Sequence, residues 1–126
     1  MKRIFATLAA ALAVAASAPP AAAYPERPIT FVVPFPPGGS SDAIARTLSQ
    51  KMSASLGQPI VVENVAGATG AIGATRVKRA AADGYTVLVA SIGVYATNPF
   101  LQKNLPYDPV KDFDLLTVLV RAPNLL

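Results

Sequence analysis

The 126-residue sequence has no cysteine, no histidine and no tryptophan. The missing cysteine rules out disulfides and a lipid-modified cysteine, so the fold must be held by core packing alone. With histidine missing as well, the common zinc ligands and the Ser-His and Cys-His nucleophile systems are gone. Acids are scarce too, seven in all against eleven Lys and Arg. No pair of carboxylates, metal-ligating set or activated nucleophile can be assembled from them. These absences argue against an enzyme and against any resident cofactor or metal.

The N-terminus is rich in what remains. Lys2 and Arg3 precede an almost wholly apolar run from Ile4 to Ala16. Ser17, Pro19 and Pro20 break that run, and Ala21-Ala22-Ala23 offers a small-x-small site. A basic start, an apolar stretch and a small-residue site make a secretory signal, expected over residues 1–23 with cleavage before Tyr24. The alternative, a membrane anchor, needs about 20 apolar residues, and this run is shorter. Cleavage would remove two of the eleven basic residues, lowering the net charge from +4 to +2. The high pI is therefore partly an export label and weak evidence for nucleic acid. Only Arg76, Lys78 and Arg79 cluster, and they read as the solvated face of a helix.

After residue 23 the pattern alternates. Ile29–Pro34 (ITFVVP) is a short apolar run rich in β-branched residues, as in a strand buried on both faces. Pro36-Pro37-Gly38-Gly39 ends it, and Ser40-Ser41-Asp42 supplies N-capping chemistry. Ile44, Ala45, Leu48, Met52 and Leu56 then recur at helical spacing over Asp42–Leu56, and Gly57 marks the helix end. The cycle repeats: a strand at Ile60–Glu63, a glycine-punctuated turn through Gly67, Gly70 and Gly73, and a helix around Ile72–Ala82. An Asp83-Gly84 turn and a third strand at Tyr85–Ala90 follow. Such βαβαβ order predicts a parallel α/β sheet. Ser91–Pro99 reads as a loop, Phe100–Lys103 as one helical turn, Leu105–Asp114 as a proline-pinned surface segment. Leu115–Val120 is a fourth apolar run.

Ligands of open parallel sheets bind outside the carboxyl ends of the strands. Three loops fall there: Phe35–Asp42, Val65–Gly73 and Ser91–Asn98. The first two run into helix N-termini, whose free N–H groups and dipole suit an anion. Gly38, Gly39, Gly67 and Gly70 permit close backbone approach. Ser40, Ser41, Thr69, Ser91, Thr97 and Asn98 add hydrogen-bonding groups, and none of the loops holds Lys or Arg. That is a carboxylate pocket built of neutral donors. The plainer reading is that the glycines serve tight turns and the hydroxyls serve caps. Phe35 either packs on the ligand or closes strand onto helix. Asp42 either contacts the ligand or, more simply, complements the helix dipole, since an acid would repel an anion.

Four stretches carry a family resemblance: YPERPITFVVPFPPGGSSDAIAR, GQPIVVENVAGATGAIGA, AAADGYTVLVAS and ATNPFLQKNLPYDPVKDFDLLTVLVRAPNLL. Together they run without a gap from Tyr24 to Leu126, and the chain resembles the extracytoplasmic solute-binding proteins of tripartite tricarboxylate transporters, the Bug family. A proline usual in the family before Asp-Gly-Tyr is Ala82 here, a departure expected to affect only a turn. The resemblance implies a type II periplasmic binding protein fold closing on a small organic carboxylate, with the transporter's membrane components as partners. It places the ligand against Phe35–Asp42 and against Gly67–Gly70, which brings in Ala68, with Ser91 and Asn98 matching more loosely. Family members are far longer. The chain is therefore expected to be the N-terminal part of the first domain, without the second domain, and impaired on its own.

Two other readings compete. IVVENVAGATGAIG is a strand followed by Gly-x-x-Gly-x-x-Gly, close to some dinucleotide-binding variants. However, that fingerprint should follow the first strand, with an acid ending the next, and here the third strand ends at Ala90-Ser91. The other is a non-binding remnant. The sequence leaves the carboxylate open among citrate, dicarboxylates, acidic amino acids and aromatic acids.

Overall fold

Three short parallel strands carry the architecture of the computed structural model, which describes residues 23–121. The expected signal peptide therefore lies outside the described residues, apart from Ala23. In chain order the elements are β1 (Ile29–Val33), α1 (Ser40–Leu56), β2 (Ile60–Asn64), α2 (Ala71–Lys78), β3 (Thr86–Leu88) and α3 (Asn98–Leu101). A tight turn at Ala68–Gly70 precedes α2, and a π-helical stretch at Gly93–Thr97 runs into α3. The sheet order is β2-β1-β3, with Phe31 facing Val62 on one side and Val87 on the other. The expected parallel βαβαβ α/β unit is present.

Alternation along the central strand explains the two cores. Ile29, Phe31 and Val33 point to one face with Ile60 and Val89, where α1 lays Ala45, Leu48, Met52 and Leu56. Val32 between them is wholly buried. The second core gathers Ala71 and Ala74 of α2, Val94, Tyr107, and the partly buried Leu88, Leu105 and Phe113. Phe35 packs against both clusters, so it joins the two sides of the sheet at its C-terminal edge.

Side chains lock the edges. Tyr24 donates to the Gly84 carbonyl at 2.7 Å, and Arg27 pairs with Asp83 at 2.8 Å while lying over the Tyr85 ring. The segment before β1 thus straps the Asp-Gly-Tyr turn. Arg76 pairs with Glu63, and Lys78 bonds Asp112 at 2.8 Å and the Pro106 carbonyl. Two of the three basic residues read as a solvated helix face therefore tie α2 to β2 and to the 105–114 segment.

Several boundaries differ from expectation. The helix expected over Ile72–Ala82 ends at Lys78, because the Ala80 amide bonds Val77 three residues back and tightens the last turn. Gly39, not a serine, is the N-cap of α1, and Ser40 and Ser41 sit in its first turn. Ser91–Pro99, read as a loop, is largely helical. Its proline falls in the first turn of α3, where a missing N–H costs nothing. The single turn expected at Phe100–Lys103 is the end of this helix. Leu115–Val120 forms no strand among the described residues, and Leu115 and Leu116 are exposed.

Candidate functional site

Helix α1 connects β1 to β2 on one side, whereas α2 carries the chain back across β1 to β3. The strand order therefore reverses between β1 and β3, and a switch point of this kind opens a crevice at the strands' carboxyl ends. An open depression of about 450 Å³ lies there, lined by Phe35, Pro36, Pro37, Gly39, Ser40, Ser41 and Ser91. It has no charged lining residue. Of the residues singled out from the sequence, Phe35, Gly39, Ser40, Ser41 and Ser91 line this depression directly.

Gly38 and Asp42 brace the first loop from behind. The Asp42 carboxylate is nearly fully buried and accepts from the Gly38 amide at 3.0 Å, from Arg46 Nε at 2.9 Å and from Asn64 Nδ2 at 2.9 Å. Asn64 also donates to the Phe35 carbonyl, and Arg46 donates to Asn64 Oδ1. The Arg46 bond, the Gly38 amide and the Asn64 amide together hold the Asp42 carboxyl well below the usual carboxylate range. Its charge is directed inward, onto Arg46, the Gly38 amide and Asn64. Sequence reasoning missed Asn64. It is the last residue of β2, a polar end to a largely apolar strand, which was the available signal, but its partners are 22 and 29 residues away.

The second loop lies beside Phe35. Ala68, Thr69 and Gly70 all have positive φ, at 47°, 52° and 91°. Ala68 and Thr69 are exposed, while Gly70 is buried: a Cβ there would come within 2.8 Å of Val94 Cγ2 and 3.6 Å of Phe35 Cζ. Gly73 lets α2 rest on the end of β1. These glycines serve close packing of the turn and α2 against the end of β1 and Val94, a local reason for the Gly-x-x-Gly-x-x-Gly spacing that needs no dinucleotide.

Asn98 sits behind the second loop and not among the residues lining the depression. It is buried, donates to the Thr69 carbonyl at 3.0 Å and to Tyr107 Oη at 3.3 Å, and accepts from Thr69 Oγ1 at 3.3 Å. Tyr107 in turn donates to the Val94 carbonyl at 2.6 Å, and Gln102 donates to Thr69 Oγ1. Tyr107 and Gln102 were missed as well, since nothing local distinguishes a tyrosine that spans elements from one in a surface segment. Tyr107→Phe keeps the ring's packing and strips the Val94 carbonyl of a donor. We expect a loss of about 1–2 kcal/mol in urea unfolding, the usual cost of orphaning a buried polar group; an unchanged midpoint would refute the bond's importance.

Comparison with known proteins follows the same lines. Residues 44–126 match the tripartite tricarboxylate transporter family receptor. Protein BugT of Bordetella pertussis is 43% identical over an alignment covering 99% of this chain and 41% of BugT. The periplasmic binding protein BugD superposes with a TM-score of 0.65 at 46% identity, over 71% of this chain and 30% of BugD. MatC from Rhodopseudomonas palustris with bound malate gives 0.69 at 46% identity, over 71% of this chain and 31% of MatC. The chain spans between 29% and 41% of the length of the curated relatives it matches. The matching family is described as a receptor family, and BugD as a periplasmic binding protein. The family match and the fold shared with these solved structures agree, and the chain belongs to the tripartite tricarboxylate transporter receptor family.

Proposed function

We propose that this chain is exported through a signal peptide at residues 1–23 and works outside the cytoplasm. There it captures a small organic carboxylate for the membrane components of a tripartite tricarboxylate transporter, without catalysing a reaction. The observation that carries this reading is the uncharged, hydroxyl- and backbone-lined depression at the sheet's switch point. Ser40 and Ser91 offer hydroxyls, Gly39 permits close approach, and Phe35 supplies an apolar wall. Gly38 and Asp42 shape the first loop, and Ala68, Thr69 and Gly70 form a second wall. Malate bound to the related MatC sets the scale of the ligand: a short dicarboxylate.

A depression open on one side buries less of a ligand than a closed cleft, which covers most of it. The chain alone is therefore expected to bind weakly. Titrating residues 24–126 with malate, followed by amide NMR, should move Gly39, Ser40, Ser41 and Ser91 at millimolar ligand, while the neutral diamide of malate moves nothing. Ser40→Ala should weaken the response by about tenfold or more, one charge-assisted hydrogen bond's worth. Equal responses to malate and its diamide, or shifts confined to other surfaces, would sink the proposal.

A further inference from the structure

Ala68 and Thr69 occupy the left-handed region although both carry a Cβ, and Gly70 continues it. Non-glycine residues rarely hold that conformation singly, and two in succession persist only when surrounding structure imposes them. Within the turn the bonds are short-range: the Gly70 amide donates to the Gly67 carbonyl at 2.9 Å, Ala71 donates to Ala68, and Thr69 Oγ1 donates to the Ala68 carbonyl at 2.7 Å. Each of those also forms in ordinary turns, so they do not select this one.

The selecting contacts come from Asn98. Its Nδ2 donates to the Thr69 carbonyl at 3.0 Å from a buried position, while its Oδ1 faces, at 3.3 Å, the Thr69 hydroxyl that also reaches the Ala68 carbonyl at 2.7 Å. Its Nδ2 is shared with Tyr107 Oη, itself anchored on Val94. The π-helical stretch Gly93–Thr97 sets where Asn98 leaves the helix, and such irregular turns recur where a side chain must be aimed. With Nδ2 and Oδ1 both engaged, Asn98 has little left to offer a ligand.

We infer that Asn98 is a positioning residue that holds the Ala68–Gly70 turn left-handed beside Phe35 and makes no contact with the bound carboxylate. The second half of this statement rests on the carboxylate-binding function proposed above; the first half does not. If Asn98 acts by imposing an unfavourable backbone, its loss should be offset by making that backbone easy. Ala68→Gly removes the Cβ that resists positive φ and no hydrogen-bonding group, at the cost of one methyl of the proposed second wall.

The experiment uses the mature chain and three variants: Asn98→Ala, Asn98→Ala with Ala68→Gly, and Thr69→Val. Cα shifts and HN–Hα couplings report the turn's φ without any ligand, and malate titration reports binding. In Asn98→Ala the left-handed signature of residues 68 and 69 should vanish while the β1 amides keep their shifts. Malate affinity should fall about tenfold, as for a lost pair of hydrogen bonds. Adding Ala68→Gly should restore most of that affinity, which it could not do for a lost direct contact. Thr69→Val loses the hydroxyl shared with Ala68, Asn98 and Gln102 but keeps the carbonyl that Asn98 reaches. It should show a smaller loss of turn order, and it decides the matter if Asn98→Ala does not fold. A left-handed turn unchanged in either folded variant overturns the inference. So does a binding loss that Ala68→Gly leaves untouched. Absence of malate binding by the unmodified chain would overturn the proposed function alone, and the backbone signature would still judge Asn98.

Discussion

Gly73→Ala should lower the melting temperature by about 10–20 °C, the 2–3 kcal/mol it costs corresponding to 4–8 °C per kcal/mol in a domain of this size. Gly73 is the third residue of α2 and is buried. A Cβ there would lie 2.7 Å from Pro34 Cβ, 2.9 Å from Pro34 Cα and 2.8 Å from the Val65 carbonyl oxygen. Two of those three atoms are backbone, and both belong to segments fixed by the sheet: Val65 donates to Val33 at the end of β1. The helix must move as a body, and Ala71 and Ala74 move with it out of the second core. Alanine's higher helix propensity returns only about 1 kcal/mol, so the steric term wins. Gly39→Ala is the control. Its Cβ would meet only the Pro36 carbonyl at 3.8 Å, and its φ of −80° suits any residue. It should melt within a few degrees of the parent, although it lines the depression. Thermal unfolding followed by circular dichroism tests both, and equal melting temperatures would show that the helix can slide.

How far these features were legible depends on the range of the forces behind them. ITFVVP announces a strand because burial on two faces demands apolar residues at every position, and that demand is local. IVVE and YTVLVA carry the same β-branched signal although β2 and β3 are only partly buried edge strands. Even so, the third run overreaches: Tyr85, Val89 and Ala90 lie outside β3, which is only Thr86–Leu88. The helical stretch after Ser91 was illegible for a different reason. Its Ile92, Phe100 and Leu101 are exposed and only Val94 and Asn98 are buried, so no apolar stripe exists to be read. What holds it in place is the network from Asn98 and Tyr107 to Thr69, residues up to 33 positions from its far end at Gln102. The site divides likewise. Strand-end topology pointed to the three loops, since it depends only on element order. Which side chains face the depression and which brace it from behind depends on rotamers and distant partners. Phe35, Gly39, Ser40 and Ser91 turned one way; Asp42 and Asn98 turned the other.

Stability should fall with acid in a way that belongs to Asp42. In the folded chain its carboxyl is held well below the ordinary range by Arg46, the Gly38 amide and Asn64, whereas unfolded it titrates near pH 4, about the value of a free aspartate. Above that pH both states are ionised and the full stabilisation is present. As the pH drops below about 4 the unfolded chain takes up a proton that the folded chain resists, and the advantage drains away toward the lower, folded value. Asp108 and Asp112 are also held low, the first by the Val110 and Lys111 amides, the second by the Asp108 amide and Lys78. They give the whole protein a similar slope, so the comparison must isolate one group. Asp42→Asn keeps the shape, removes the charge and turns one acceptor into a donor facing Gly38 and Arg46. At neutral pH it should be much the less stable of the two in urea unfolding. The gap should stay constant from pH 7 to about 5 and close as the pH falls below 4, because acid does to Asp42 what the substitution has already done. A gap that persists unchanged to pH 2 would mean that the Asp42 charge is irrelevant and that only its shape supports the first loop. If the gap closes, the same acid range should loosen Gly38 and Phe35, whose backbone groups Asp42 and Asn64 hold, and the depression should lose its first wall before the sheet unfolds.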